Sequence, residues 1–261
     1  MDLTEVLAYS CALFIGLVLG LIGGGGSILT VPVLVYILHL NPITATAYSL
    51  FVVGTSALVG SYKNVQKKLV NYNYAIVFGI PAVIGVTLTR RYLVPNLPET
   101  IFNLSKEDAI MLFFAVIMIL AGFSMYSKKT KCYTQAGKIT NYPLILIEGL
   151  VVGFITGLVG AGGGFLIIPA LVILGKLPMK EAVGTSLLII TIKSLVGFFL
   201  GDVFTMEIDW AFLLPFTLLS IIGILIGVSL SKHITAQKLK KGFGVFLLIM
   251  AVYVIYKTFM C

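Results

Sequence analysis

The segment GLIGGGGSILTVP at residues 20–32 returns as GLVGAGGGFLIIP at residues 157–169. Gly20 aligns with Gly157, and this offset of 137 holds without a gap from Gly20–Gly60 to Gly157–Gly197. Gly23, Gly25, Gly26, Pro32, Ser49 and Gly60 recur in that frame as Gly160, Gly162, Gly163, Pro169, Ser186 and Gly197. A chain that is 59% hydrophobic gives chance matches of Leu and Val. It does not align a glycine cluster, a proline beyond it and a later serine and glycine in one frame. The chain is therefore read as two related halves. Each half interrupts an apolar segment with glycine near its start, and interrupted helices at matching places in two halves point to a transporter's binding site.

The medium follows from hydropathy. Mean hydropathy is +1.09, and 11% of the 261 residues are charged. So few charges do not cover the surface of a soluble domain, and the apolar runs approach the roughly 20 residues that cross a bilayer. The expected fold is an all-α, multi-pass membrane protein. The first segment is expected to be retained, because Asp2 and Glu5 stand where a signal peptide carries positive charge. The net charge of +8 sits in short loops as the positive-inside bias puts it, so nucleic acid is not an expected partner. Cys11, Cys132 and Cys261 form neither a metal nor a disulfide framework.

Apolar segments run over about 4–22, 27–38, 44–62, 72–91 and 107–126, then 142–159, 164–175, 181–200, 208–230 and 242–259. Residues 1–127 form a first repeat, 128–141 a basic cytoplasmic linker and 142–261 a second repeat. The pieces 27–38 and 164–175 reach roughly 18 Å at 1.5 Å per residue, short of the roughly 30 Å hydrocarbon core. Each is read as a half-helix paired with the segment before it in a re-entrant hairpin, followed by three transmembrane helices. Placing the basic loops at Lys63–Lys68, 128–138 and 232–241 in the cytoplasm makes equivalent segments antiparallel. That is an inverted repeat. Arg90 and Arg91 fall near the outer face and run against this orientation.

The glycine clusters are the expected substrate site. Gly23, Gly24, Gly25 and Gly26 end one helix, and the next starts at Ser27 or Ile28 with Ser27 as N-cap. Its first N–H groups lack partners within the helix, lipid supplies none, and a helix N-terminus favours an anion. Gly160, Ala161, Gly162, Gly163 and Gly164 offer the same from the other side. The alternative is that the glycines only permit close helix packing, which is the reading for Gly60, Gly149, Gly153, Gly197, Gly223 and Gly227. Lys193 lies deep in TSLLIITIKSLVGFFL, where a charge marks function by default. It serves either an anion or an ion pair with Glu148. Ser49 and Ser56 share one helical stripe, and Ser186 and Lys193 share the matching one. Their hydroxyls bond either an oxyanion or a neighbouring helix. His39 and His233 are read as interface residues. Neither catalytic constellation, cofactor nor metal is expected, and the chain is not read as an enzyme.

The doubled G-x-GGG-x-x-x-x-P segments and the Ala-x-x-x-Ser-Leu and Gly-Thr-Ser-Leu stretches after them resemble the TauE/SafE family of sulfite exporters, along nearly the whole chain. The resemblance implies a prokaryotic inner-membrane carrier of sulfite, sulfonates or related sulfur-containing anions. It carries over to the clusters Gly23–Gly26 and Gly160–Gly164 and to Pro32 and Pro169. Lys193 is proposed from burial alone. The expected function is secondary transport of a small sulfur-containing anion by alternating access, coupled to a proton or ion gradient or to none. An anion channel, or a protein that handles lipid or another solute, is the alternative. The expected partners are the anion, membrane lipid and at most further copies of the chain.

Overall fold

The computed structural model describes residues 3–24, 26–98, 100–101, 104–127, 142–160, 162–173, 175–204, 206–231 and 234–260. The 128–141 linker, Gly25, Ala161 and His233 lie outside the described residues. The chain folds into helices α1 (Leu3–Ile22), α2 (Gly26–Pro32), α3 (Pro42–Gln66), α4 (Tyr72–Leu88) and α5 (Lys106–Ser127), then α6 (Tyr142–Val159), α7 (Gly164–Ile173), α8 (Met179–Gly197), α9 (Trp210–Leu230) and α10 (Ala236–Met260). Thr100–Ile101 pairs antiparallel with Leu104–Ser105 ahead of α5. Among the described residues, four helical stretches are long and apolar enough to cross a membrane: Pro42–Gln66, Tyr72–Leu93, Met179–Asp202 and Trp210–Leu230.

Helix ends are set locally. The side chains of Asn41, Asn71 and Asp209 accept the N–H groups of Ile43, Tyr74 and Phe212, capping α3, α4 and α9. Three helices run on into π-helical turns. Val33–Ile37 extends α2 beyond Pro32, Thr89–Leu93 extends α4, and Phe198–Asp202 extends α8. The junction at Pro32 has a direct cause, since proline has no N–H to continue the α-helical ladder.

Small residues set the main helix contacts. A methyl group added to Gly16 would run into Ser220, and one added to Gly20 would lie 2.5 Å from the Ile224 carbonyl oxygen. Gly223 and Gly227 press back on Leu13 and Leu17. α1 and α9 therefore run parallel, in contact at four-residue spacing. α4 and α6 repeat the arrangement, with Gly149 against Phe78, Gly153 against Ala82 and Gly157 against Thr89. α3 and α8 run antiparallel: Gly54 meets Leu195, Gly60 meets Leu187, and Gly184 meets Leu69. The packing reading holds for Gly60, Gly149, Gly153, Gly223 and Gly227, and for Gly197 against Val86.

After each glycine-rich turn the chain doubles back. Leu38 and Leu40, past the end of the α2 extension, line a cavity of about 470 Å³ with Ala8 and Tyr9 of α1. In the second half, the Tyr74 hydroxyl at the start of α4 donates to the Gly175 carbonyl at 2.8 Å. Gly175 thus returns to the end from which α6, parallel to α4, sets out.

Candidate anion site at the second glycine turn

The backbone of both turns needs glycine. Gly23 has φ +75°, and Gly160, Gly162 and Gly163 have φ +67°, +61° and +72°, values that side chains disfavour. The turns pack on the opposite halves. A Cβ on Gly23 would meet Val183 of α8, and one on Gly160 would meet Thr46 of α3. Val183 is Thr46 displaced by the same offset of 137. The turns also touch one another, Gly24 against Gly164 and Ser27 against Gly162.

Their surroundings differ in charge. Lys193 is fully buried, and its ammonium donates to the Thr156 hydroxyl at 2.6 Å. A methyl on Gly163 would lie 2.7 Å from Lys193 Nζ. The partner is thus Thr156 and not Glu148, which stands eight residues earlier on α6, about 12 Å along the axis. Thr156 in turn donates to the Gly153 carbonyl at 3.2 Å, so its hydroxyl satisfies the helix with its proton and the ammonium with a lone pair.

Arg90 is the residue that sequence reasoning missed. It is 1% exposed, not a loop cation at the outer face. A methyl on Gly160 would lie 2.5 Å from Arg90 Nη2. Arg90 Nη1 bonds Asp202 Oδ1 at 3.3 Å, while Nε and Nη2 are buried without a hydrogen-bond partner. Gly201 makes room, since a Cβ there would lie 2.6 Å from Arg90 Cβ. Among the described residues, two cations therefore abut the second turn and one carboxylate pairs with one of them, a formal balance of +1. Such an excess in a low-dielectric interior is costly unless an anion joins it.

The hydroxyls divide. Ser49 is buried and has no partner. It lies three residues after Thr46 and four before Val53, and both of these abut the second turn, at Gly160 and Gly162, so Ser49 shares their face. Its repeat counterpart Ser186 donates instead to the carbonyls of Gly23 at 3.0 Å and Val183 at 2.9 Å, and it holds the first turn in place. Ser56 bonds Ser220 at 2.9 Å, joining α3 to α9. Ser27 is not an N-cap. The helix starts at Gly26, and the Ser27 hydroxyl donates to the Gly24 carbonyl at 2.6 Å. Gly26 faces Ile15 and Leu19 of α1. The structure thus gathers Gly160, Gly162, Gly163, Gly164, Gly24, Ser27, Ser49 and Lys193, adds Arg90 and Thr156, and leaves Ser56 and Ser186 as structural hydroxyls. Among the described residues no group of His, Cys, Asp and Glu is placed to hold a metal ion.

A family model described as "Sulfite exporter TauE/SafE" matches residues 8–254. A "Probable membrane transporter protein" of Xylella fastidiosa (strain 9a5c) is 28% identical over 256 residues, covering 94% of this chain and 92% of the relative. The "Probable membrane transporter protein YunE" of Bacillus subtilis (strain 168) is 25% identical over 97% of each chain. The "Probable membrane transporter protein MJ0441" of Methanocaldococcus jannaschii is 34% identical over 42% of this chain and 43% of its own. No solved structure matches.

Proposed function

Because the chain belongs to the sulfite exporter TauE/SafE family of membrane transporters, we propose that it is a secondary carrier of a small sulfur-containing anion, bound at the second glycine turn. One observation carries the reading: Lys193 and Arg90 are buried at that turn, and among the described residues one carboxylate, paired with Arg90, stands against the two positive charges. A monoanionic head group completes the balance. The ammonium, the open Nε and Nη2 of Arg90 and the Ser49 hydroxyl are donors for its oxygens. The start of α7 adds N–H groups that its own helix does not use. The first turn brings no comparable cation among the described residues, so the site belongs to the second half.

Alternating access rests on an inverted repeat. A two-fold that exchanges α3 with α8 must lie perpendicular to two helices that run antiparallel. Both are long enough to span a bilayer, so the axis lies in the membrane plane. The exchange also pairs the α1–α9 contact with α6–α4 and the Gly23–Val183 contact with Gly160–Thr46. In this reading the glycine turns are the tips of re-entrant hairpins and the halves rock around the anion. The basic loops put the carrier's cytoplasmic side at the end of α3, in a prokaryotic inner membrane.

The test is uptake into liposomes of sulfite, thiosulfate, methanesulfonate and acetate by the purified protein. Saturable uptake of a sulfur oxyanion above acetate supports the proposal. Folded protein that moves none of them refutes it. Single-channel currents in place of saturable uptake would establish the channel alternative.

A further inference from the structure

We propose that Asp202 is a proton site which holds Arg90 in reserve, so that the carrier takes up one proton with each anion. The inference rests on the carrier reading above and adds its coupling ion and its coupling residue.

Arg90 and Asp202 come from different halves, at the ends of α4 and α8, and both side chains are buried, at 0% and 3% exposure. Their contact is a single one, Nη1 to Oδ1 at 3.3 Å, and not the two-pronged fork that a guanidinium and a carboxylate form when each is the other's intended partner. The rest of the guanidinium is buried, unpartnered and aimed at Gly160 in the second turn. Asp202 therefore stands beside an anion site as a built-in competitor for its arginine.

The groups around Asp202 fix the direction of coupling. α4 and its extension bring Arg90, and beside it Arg91, which is exposed and faces the Tyr92 ring. Its own helix carries Lys193 nine residues back, about 13 Å along the axis. α3 packs Phe51 on Phe198, and the Tyr48 hydroxyl of that helix is occupied by the Asp209 N–H at 2.8 Å. The following loop carries Glu207 and Asp209. Among the described residues, the cation at ion-pair distance from Asp202 is Arg90. A proton from solvent that adds to the Asp202 carboxylate gives the neutral acid, removes the competing charge and raises the local balance from +1 to +2. An incoming anion then takes Arg90. Proton and anion enter together and leave together, which is symport.

The test uses thiosulfate and methanesulfonate, which carry no proton of their own near neutral pH, in proteoliposomes that enclose a pH-sensitive dye. In the unsubstituted protein we expect about one proton per anion and accumulation driven by an inward proton gradient. Asp202→Asn should lower that ratio to near zero whatever anion flux remains, and Arg90→Ala should raise KM tenfold or more. Anion uptake without proton movement in the unsubstituted protein overturns the inference and leaves the carrier reading standing, as does a proton-to-anion ratio that Asp202→Asn leaves unchanged. Uptake of neither anion nor sulfite overturns the carrier reading and this inference with it. A ratio near zero in the unsubstituted protein overturns the inference even if a variant fails to fold, and Asp202→Glu, which keeps a carboxyl group, should keep the ratio near one where Asp202→Asn loses it.

Discussion

Replacing Lys193 by methionine separates a structural charge from a functional one. A lysine at the centre of a membrane helix costs about 2.5–3.5 kcal/mol on insertion scales. Its hydrogen bond to Thr156 is one bond to a charged group, of about 1.5–3 kcal/mol. The two nearly cancel, so the empty protein gains little from its ammonium. Methionine keeps an unbranched stem, and Thr156 keeps its bond to Gly153, so no orphan donor is created. By the difference of those terms the empty variant should lie between about 0.5 kcal/mol less stable and about 2 kcal/mol more stable than the parent. The anion, however, loses a charged donor of about 1.5–3 kcal/mol, which is about 10- to 150-fold in Kd. Thermal unfolding in detergent, with and without thiosulfate, reads both effects. At one hundred times Kd the parent gains about 2.7 kcal/mol from ligand, and a variant one hundredfold weaker gains about 0.4 kcal/mol. A variant that unfolds much earlier without ligand, or that keeps the full shift with ligand, would refute the reasoning.

Other substitutions sort the site from its scaffold. Ser49→Ala removes a hydroxyl with no partner and should raise transport KM severalfold without lowering the melting temperature. Ser186→Ala breaks the bond to the Gly23 carbonyl and should cost about 1 kcal/mol of stability, with KM changed less than twofold. Gly160→Ala places a side chain at φ +67° and into Thr46. It should abolish transport and lower the melting temperature by several degrees, whereas Gly79→Ala, whose methyl would meet Ile189 at 3.9 Å, should be neutral or gain up to about 1 kcal/mol of helix propensity. Thr156→Val leaves the ammonium without its acceptor and should destabilise the empty protein by about 1–3 kcal/mol, in contrast to Lys193→Met.

The membrane class, the family and most helix positions were legible in the sequence, because apolar length and the glycine–proline spacing are local signals. The segment read as 164–175 folds as Gly164–Ile173, and the one read as 181–200 as Met179–Gly197. The electrostatics of the site were half legible. Lys193 stands out because no other charged residue lies within two turns of it on either side. Arg90 does not, since a charge near the end of an apolar stretch is equally well served by water at the interface. Its counter-ion is 112 residues away, and Asp202 reads as the first of three acids in a loop. The open π-helical ends of α4 and α8 bury both, and no periodicity announces such turns. Glu148 was the natural partner for Lys193 by charge alone. The register of α6 presents Thr156 instead, two turns further on. Ser27 has the residue type of an N-cap, but the helix begins one residue earlier, at Gly26, and its hydroxyl turns back to Gly24.

The repeat preserves backbone and discards chemistry. The offset of 137 that maps Gly23 on Gly160 also maps their contacts, Val183 on Thr46, and it maps the Gly26–Leu19 contact on Gly163–Thr156. At the positions that decide charge the halves part company: Leu19 corresponds to Thr156, and Ser56 corresponds to Lys193. Leucine offers no acceptor for an ammonium, and Ser56 spends its hydroxyl on Ser220. The two turns share a shape, while only the second has Lys193 and Arg90 beside it. On the carrier reading this asymmetry constrains the cycle. Two equal stations would let an anion pass from one turn to the other across the Gly24–Gly164 contact. A single station does not, because among the described residues the first turn offers nothing that replaces Lys193 and Arg90. The anion must stay with the second turn while the barrier moves around it, and the barrier at hand is the crossing of the turns, where Gly24 and Gly164 leave no room for a side chain.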